Sequence, residues 1–229
     1  MTSTPDVFPD SARVEGGVLL LGGRRADELA AEHGTPLLVL CEETIRARAE
    51  ALRAAVGDGR VFYGTKALPN VALLRLLREE GIGADVASAG ELAFAHAAGL
   101  EGGELVVHGN NKDAALLREA ARLDAPVVLD APDEAVLAAE AGVQRALVRV
   151  TLGVDADTHG AIRTGHHGAK FGLPPEAAQA LLREALDRGL DVVGVHVHVG
   201  SQLADFDAQA ETIVRLASFV AGCRDELGW

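Results

Sequence analysis

Short apolar runs alternate with longer stretches rich in alanine, leucine, glutamate and arginine along most of this chain of 229 residues. Glycine, proline, asparagine or aspartate marks each change between the two kinds of run. This alternation predicts β-strands joined by α-helices, and strands joined in this way lie parallel in one sheet. The predicted strands span residues 36–40, 60–64, 83–87, 104–109, 126–130, 146–150 and 191–199, and the predicted helices span 43–56, 69–80, 89–98, 112–123, 132–141, 175–188 and 205–227.

Two arrangements of parallel strands fit this pattern, an open doubly wound sheet and a (β/α)8 barrel. The first strand is not followed by GxGxxG or GxxxxGK[ST], the phosphate loops typical of open sheets. Polar residues follow nearly every predicted strand, and barrel enzymes build their sites from such strand ends. These residues are Lys66, Asp85, His108, Asn110, Asp130, Arg149 and His198. We therefore predict an α/β fold of the (β/α)8 TIM-barrel type, incomplete because about six barrel strands can be counted from residue 60 onward.

The segment "HVHVGSQ" (196–202) tests whether these polar residues point into the barrel. Successive side chains of a strand point to opposite faces, so Gly194, His196 and His198 share one face and the intervening valines share the other. Helices cover the apolar face of a barrel strand, which directs both histidines inward. The same argument directs Arg149 and Asp85 inward. Buried charges are costly unless they are paired or bound to an ionic group, so the pattern predicts a site.

Charge and composition exclude several classes of protein. The formal net charge of −13 and the pI near 5.0 disfavour binding to nucleic acid or to an anionic membrane, both of which need a basic surface. Cys41 and Cys223 are far apart and form no zinc or disulfide motif, which favours a reducing, cytoplasmic location. The first residues do not form a signal peptide, and no apolar run reaches the length of a membrane span. We expect a cytoplasmic protein that acts on small molecules.

Lys66 lies in "YGTKALPN", between a predicted strand and a predicted helix. A lysine at the mouth of a barrel is a common Schiff-base position, whereas an isolated lysine here is more often a solvated helix cap. The segment resembles the lysine motif of the alanine-racemase-like, fold-type III decarboxylases that use pyridoxal phosphate. Four further blocks resemble the same family in the same order: "GADVASAGEL" (83–92), "VVHGNNKDAALLREA" (106–120), "VRVTLGVDADTHGAIRTGHHGAKFGL" (148–173) and "VGVHVHVGSQL" (193–203). The last two are similar to signatures of the diaminopimelate decarboxylase branch.

The resemblance implies pyridoxal 5′-phosphate as the cofactor and assigns roles to the matching residues. Lys66 would form a Schiff base with the cofactor, and His198 would stack on its ring, so both are expected to be catalytic. Gly200 and Ser201 would contact the phosphate, because a small residue lets backbone N–H groups approach and a hydroxyl donates.

Neighbouring residues are expected to support this site. Asp85 and Arg149 would bind the cofactor region and pair with each other, tuning the protonation of the lysine. For His196 we expect a buried, hydrogen-bonded support of the neighbouring histidine. Asn110, Asn111 and Lys112 are expected either to line a rim loop or to cap a solvated helix, and no metal ion is expected.

The implied reaction is the decarboxylation of meso-2,6-diaminopimelate to L-lysine and carbon dioxide in lysine biosynthesis, by an enzyme that is a homodimer at full length. Three alternatives remain open. The first is a decarboxylase of another basic amino acid of the ornithine, arginine or carboxynorspermidine type, and the second is a silent module that only holds the cofactor. The third is a metal-dependent barrel hydrolase that uses His196 and His198, with His108 and Asp130 as further ligands.

The resemblance also predicts how the chain divides into domains. Residues 1–35 are expected to belong with a C-terminal β-domain, and residues 36–229 to form a partial cofactor-binding barrel. The family's glycine-rich phosphate loop, its Glu-Pro-Gly-Arg strand and its β-domain are not found in this sequence. We therefore expect an N-terminal fragment that has little activity alone.

Overall fold

The computed structural model describes residues 8–153, 171–199 and 207–229. The strands in these ranges are β1 (Arg13–Glu15), β2 (Val18–Leu21), β3 (Arg24–Arg25), β4 (Phe62–Gly64), β5 (Gly83–Val86), β6 (Leu105–Val107), β7 (Val127–Leu129), β8 (Arg145–Arg149) and β9 (Asp191–His196). The helices are α1 (Ala26–His33), α2 (Glu42–Val56), α3 (Val71–Glu79), α4 (Ala89–Ala97), α5 (Ala114–Arg122), α6 (Glu134–Glu140), α7 (Pro175–Asp187) and α8 (Asp207–Leu227). Among the described residues, no helix combines the length and the apolar composition that a membrane span requires.

Six strands of the described ranges form one parallel sheet in the order β4-β5-β6-β7-β8-β9, the order in which they occur in the chain. Helices α3, α4, α5, α6 and α7 connect successive strands. This succession is that of a (β/α)8 barrel over six of its strands, and it confirms the predicted fold class. Because all six strands run the same way, their carboxyl ends lie at one edge, where Asp85 and His196 are found.

The N-terminal region differs from the sequence prediction. Residues 36–40 form no strand in the structure, and Leu38 within them is 72% exposed. Strands β1, β2 and β3 instead form a small antiparallel sheet that was not predicted. A Gly-Gly pair with positive φ at both residues makes each of its turns, at Gly16–Gly17 and Gly22–Gly23. Such pairs are typical of two-residue hairpins, so the sequence did carry this signal.

Capped helices hold the loops at the carboxyl edge of the sheet. The side chains of Asn70, Ser88 and Asp113 accept hydrogen bonds from backbone N–H groups in the first turns of α3, α4 and α5, at 3.1, 3.2 and 2.7 Å. A side-chain cap satisfies an N–H group that has no partner within the helix, and it fixes where the helix begins. The loops that follow β4, β5 and β6 are therefore anchored where they enter the next helix.

The main core lies between the sheet and its helices. Leu117, Val127, Leu129 and Val148 are fully buried in it. On β9 the alternation is interrupted, because the register shifts between Ala146 and Leu147 of the neighbouring strand. Val192 and Val195 both pack on the core as a result.

Val193 lies in this irregularity and is 51% exposed, so its predicted place on the helix-covered face is wrong. A bulged residue adds one position to a strand and changes which side chains face inward before and after it. His196 follows the bulge and keeps the inward orientation that the pattern predicted.

We predict that Leu117→Ala, in the core helix α5, lowers the free energy of unfolding by about 2–5 kcal/mol, because it removes buried methyl groups and leaves a cavity. The matched control is Leu52→Ala on α2, where the leucine is 54% exposed; we expect a change below about 0.5 kcal/mol. Denaturant unfolding measures both. Equal effects of the two substitutions would contradict the described core.

Candidate active site

A cavity of about 270 Å³ opens at the carboxyl edge of the parallel sheet. Its lining comes from strands and loops that are distant in sequence, from residue 64 to residue 198. The lining residues are Gly64, Lys66, Asp85, Ala87, Glu91, His108, Gly109, Arg149, Phe171, His196 and His198. The structure therefore brings together Lys66, Asp85, Arg149 and His198, four of the six residues that the sequence predicted for the site. Gly200 and Ser201 lie outside the described residues.

Lys66 occupies a short 3-10 turn, Thr65–Ala67, directly after β4. The side chain of Thr65 is fully buried beneath it, with Oγ1 at 2.8 Å from the carbonyl oxygen of Asp85 and 2.7 Å from Oε2 of Glu91. Glu91 Oε2 also accepts a hydrogen bond of 2.8 Å from the backbone N–H of Ala87. These contacts join the lysine turn to the end of β5 and the start of α4, so the backbone of Lys66 is held while its side chain stays exposed at the cavity.

Glu91 is a site residue that the sequence analysis did not single out. It stands in the first turn of α4, where an acidic residue is common in any helix. Its position in the sequence fits an ordinary helix start. It therefore gave no sign that this carboxylate also holds the lysine turn.

The electrostatics of Asp85 depend on its partial burial. Burial raises the pKa of its carboxyl to about 6, and the nearby charge of Glu91 adds to this effect, while Lys66 and Arg149 oppose it. His108 Nε2 lies 3.6 Å from Asp85 Oδ1. Near neutral pH the carboxyl is thus close to the range in which it can both hold and release a proton.

Three histidines face the cavity, and all three are held in the neutral form. Burial is the main cause and lowers the pKa of His108 to about 4 and that of His196 to about 3; the pKa of His198 is lowered as well. The positive charge of Arg149 contributes in each case. A neutral imidazole can pack against an aromatic ring or accept a hydrogen bond without adding a buried charge.

His196 supports its surroundings differently from the expectation. Its ring packs edge-to-face on that of His108, with centroids 4.6 Å apart and an interplanar angle of 82°. Among the described residues, its buried Nδ1 has no hydrogen-bond partner. The contact with His108 is thus a ring contact, and Nδ1 provides none of the predicted hydrogen bonding to the described residues.

Arg149 does not pair with Asp85 as expected. Its Nη1 lies 2.7 Å from Oδ2 of Asp130, and its guanidinium carbon lies 4.8 Å from the centre of the Phe171 ring. The sheet order explains the difference, because β7, which leads to Asp130, is directly beside β8, whereas β5 is three strands away. Asp130 also accepts a hydrogen bond of 2.8 Å from the backbone N–H of Gly172 through its other oxygen.

The environment of Lys112 also differs from the prediction. Its side chain is 1% exposed and lies 2.9 Å from Oε2 of Glu134, so it neither lines a rim loop nor caps a solvated helix. Asn110 and Asn111 are exposed. Asp113, the next residue after Lys112, is the one that caps α5.

The geometry does not support a metal-dependent hydrolase. Within the part of the chain that the structure describes, no group of three or more His, Cys, Asp or Glu side chains could hold a metal ion. Asp130, one of the suggested ligands, is already engaged by Arg149 and Gly172. His196 and His198 thus form no metal site with the other described residues.

Comparison with known proteins identifies the family. Residues 42–229 match the family described as "Pyridoxal-dependent decarboxylase, pyridoxal binding domain". The chain belongs to this family. Its members are defined by a domain that binds pyridoxal, which agrees with the resemblance seen in the sequence and with pyridoxal phosphate as the cofactor.

Three decarboxylases illustrate the similarity to individual proteins. The chain is 42% identical over 223 residues to the diaminopimelate decarboxylase of Actinosynnema pretiosum subsp. auranticum, a match that covers 95% of this chain and 51% of that protein. The crystal structure of diaminopimelate decarboxylase from M. jannaschii in co-complex with L-lysine has a TM-score of 0.84 and 31% identity, with 95% of this chain and 54% of that chain covered. Lysine decarboxylase from Selenomonas ruminantium has a TM-score of 0.78 and 31% identity, with 87% and 51% covered.

This member of the pyridoxal-dependent decarboxylase family spans about half the length of the relatives that it matches. The matched half contains the parallel strands β4–β9 and the cavity. The predicted membership in this family is therefore confirmed.

The raised pKa of Asp85 gives a test of the site in this decarboxylase-family chain. The folded chain holds the Asp85 proton more tightly than the unfolded chain does, because the pKa rises from 3.8 to about 6 on folding. Its contribution to stability is full below a pH of about 4 and is lost as the pH rises through about 6. We predict that Asp85→Asn, which cannot lose this proton, becomes more stable relative to the wild type as the pH increases over this range.

Denaturant unfolding at a series of pH values from about 4 to about 7 measures the difference between wild type and variant. The histidine contributions are common to both proteins and cancel to first order. Asp187→Asn, at an exposed position, is the matched control. A difference in stability that stays constant with pH would show that Asp85 is not perturbed as described.

Proposed function

We propose that this chain forms the cofactor-binding part of an amino-acid decarboxylase that converts meso-2,6-diaminopimelate to L-lysine and carbon dioxide. One observation carries the proposal: Lys66 opens onto a cavity that also contains two carboxyls, a guanidinium and three neutral imidazoles, at the carboxyl edge of a parallel sheet. The match to diaminopimelate decarboxylases over 95% of the chain supports the choice of substrate.

The residues of the cavity suit pyridoxal phosphate. The amine of Lys66 is the nucleophile that the cofactor's aldehyde requires, and Arg149 offers positive charge to an anionic group. His198 is kept neutral, so its imidazole can pack on the cofactor ring. The buried Nδ1 of His196 has no partner among the described residues and is available to a polar group bound in the cavity. Gly200 and Ser201 remain proposed phosphate contacts.

Each residue then has a distinct task. Pyridoxal phosphate, when bound, accepts the electron pair that loss of a carboxylate leaves on the α-carbon. Lys66 holds the cofactor, and the Thr65–Glu91 contacts keep the lysine turn in place. Asp85 lies close enough to Lys66 for the two charges to interact, and its pKa of about 6 lets it hold a proton at Oδ1 or Oδ2 in a pH range near neutrality.

A second candidate is a decarboxylase of another basic amino acid. Its support is that the lysine decarboxylase from Selenomonas ruminantium shares 31% identity with this chain, the same value as the diaminopimelate decarboxylase structure from M. jannaschii.

The whole protein is further proposed to be a cytoplasmic homodimer, with residues 1–35 belonging to a second domain, as the family resemblance implies. Light scattering on the purified whole protein tests the homodimer.

We predict that reduction of the chain with borohydride after incubation with pyridoxal phosphate attaches the cofactor to Lys66. The sequence contains only two other lysines, Lys112 and Lys170, so peptide mass spectrometry locates the attachment unambiguously. Lys66→Arg should abolish labelling because arginine forms no Schiff base, whereas Lys170→Arg, the matched control, should retain it. Labelling that persists in Lys66→Arg, or is absent from the wild type, would overturn the assignment of the lysine.

The same reaction tests the substrate. We predict that meso-2,6-diaminopimelate lowers labelling of Lys66 more than L-lysine or L-ornithine at equal concentration, because its amine competes with the lysine for the cofactor. Stronger competition by another basic amino acid would favour the second candidate. Release of carbon dioxide, measured with each amino acid on the whole protein loaded with pyridoxal phosphate, separates a decarboxylase from a silent cofactor-binding module.

A further inference from the structure

Four charged side chains form one connected set beside the cavity, and we call them the buried quartet: Lys112, Asp130, Glu134 and Arg149. Their side chains are 1%, 2%, 4% and 10% exposed. Lys112 pairs with Glu134 at 2.9 Å, and Arg149 pairs with Asp130 at 2.7 Å. Glu134 Oε2 also accepts a hydrogen bond of 2.6 Å from the backbone N–H of Asp130, which connects the two pairs.

The quartet reaches the cavity at two points. Arg149 is one of the lining residues, and Lys112 donates a hydrogen bond to the carbonyl oxygen of Gly109, another lining residue. Gly109 has a φ of +107°, a conformation that glycine adopts readily and other residues rarely. Lys112 and Glu134 themselves are not among the lining residues. They therefore act on the cavity only through the residues that they hold.

Stability is a poor explanation for such an arrangement. Each buried charge loses several kcal/mol of hydration, and well-packed apolar residues of similar volume often replace a buried ion pair at no cost. What the quartet does provide is orientation, because both oxygens of Asp130 and its N–H group have defined partners: Arg149, Gly172 and Glu134. Asp130 cannot rotate without breaking one of these contacts.

We propose that Lys112 and Glu134 are positioning residues, which lock Asp130 and the Gly109 turn in place and thereby fix the Arg149 guanidinium on the cavity wall. There the guanidinium is held for an anionic group of the cofactor or substrate. The part of the inference that concerns the ligand rests on the proposed function, whereas the positioning of Arg149 is a property of the chain itself.

His108 reports where the charges of the quartet lie. The charged and titratable groups that face it are Asp85 from β5, Lys112 and Asp130 from the loops after β6 and β7, Arg149 from β8, and His196 and His198 from β9 and its end. Burial, Arg149 and Lys112 lower the pKa of His108 to about 4, and Asp130 opposes them. A displaced Arg149 would therefore change the pH at which His108 titrates.

The test replaces the inner pair by apolar residues, with Lys112→Met and Glu134→Leu in one variant. We expect the variant to bind pyridoxal phosphate about tenfold more weakly, because a small misplacement of a binding group is costly. In the cofactor-free protein, we expect the His108 titration, followed by NMR, to move upward by about one pH unit. The matched control, Arg188→Met with Glu184→Leu, removes an exposed pair of α7 and should change neither quantity.

Single variants separate positioning from folding. Lys112→Arg keeps the cation and should bind pyridoxal phosphate within about twofold of the wild type, whereas Lys112→Gln removes it and should bind more weakly. If the double variant fails to fold, as judged by circular dichroism, this pair of single variants carries the test. A folded double variant, or a folded Lys112→Gln, with wild-type cofactor affinity and a wild-type His108 titration would overturn the inference.

The outcomes also distinguish this inference from the proposed function. Failure of pyridoxal phosphate to attach to Lys66 in the wild type would contradict the proposed function. The His108 titration needs no cofactor, and Glu134→Gln keeps the charge of Lys112, which itself acts on His108. A changed His108 titration in Glu134→Gln would therefore still show that Glu134 fixes the charge of Arg149, and an unchanged one would contradict it.

Discussion

Parallel pairing of consecutive strands determines where the functional side chains of this protein lie. Because β4 to β9 run in one direction, residues that end different strands meet at one edge, although they are up to 134 positions apart in the lining from residue 64 to residue 198. Neighbouring strands also decide which charges can pair. Arg149 reaches Asp130, at the end of the adjacent strand, and not Asp85, three strands away.

Burial at this edge sets the protonation states that the site offers. It raises the pKa of Asp85 and lowers those of His108, His196 and His198, so each group shifts toward its neutral form. The guanidinium of Arg149 is held by Asp130 and by the ring of Phe171. The cavity thus places the amine of Lys66 and the guanidinium of Arg149 beside four groups that burial shifts toward their neutral forms, which suits a cofactor that carries its own negative charge.

The sequence predicted the helices α2–α8 and the strands β4–β9 closely, because their apolar periods are regular and glycine or proline marks their ends. It predicted that Lys66, Asp85, Arg149, His196 and His198 share a cavity, because parity directs the last four inward and Lys66 follows the end of a strand. It did not predict that Arg149 contacts Asp130, because parity gives the face on which a side chain lies and not the neighbouring side chain that it meets. The β-bulge at Val193 was also beyond a pattern that assumes strict alternation.

Two glutamates at helix starts have roles in the site that the sequence did not predict. Glu91 and Glu134 both stand in the first turn of a helix, where a carboxylate is favourable in any protein because it faces the positive end of the helix dipole. In this fold the same turns lie beside the strand ends, so the two carboxylates also accept the backbone N–H groups of Ala87 and Asp130. One then holds the lysine turn, and the other holds the partner of Arg149. A carboxylate that stabilises a helix start thus also orders the cavity. Only the packing of the helix against the strand reveals this second role.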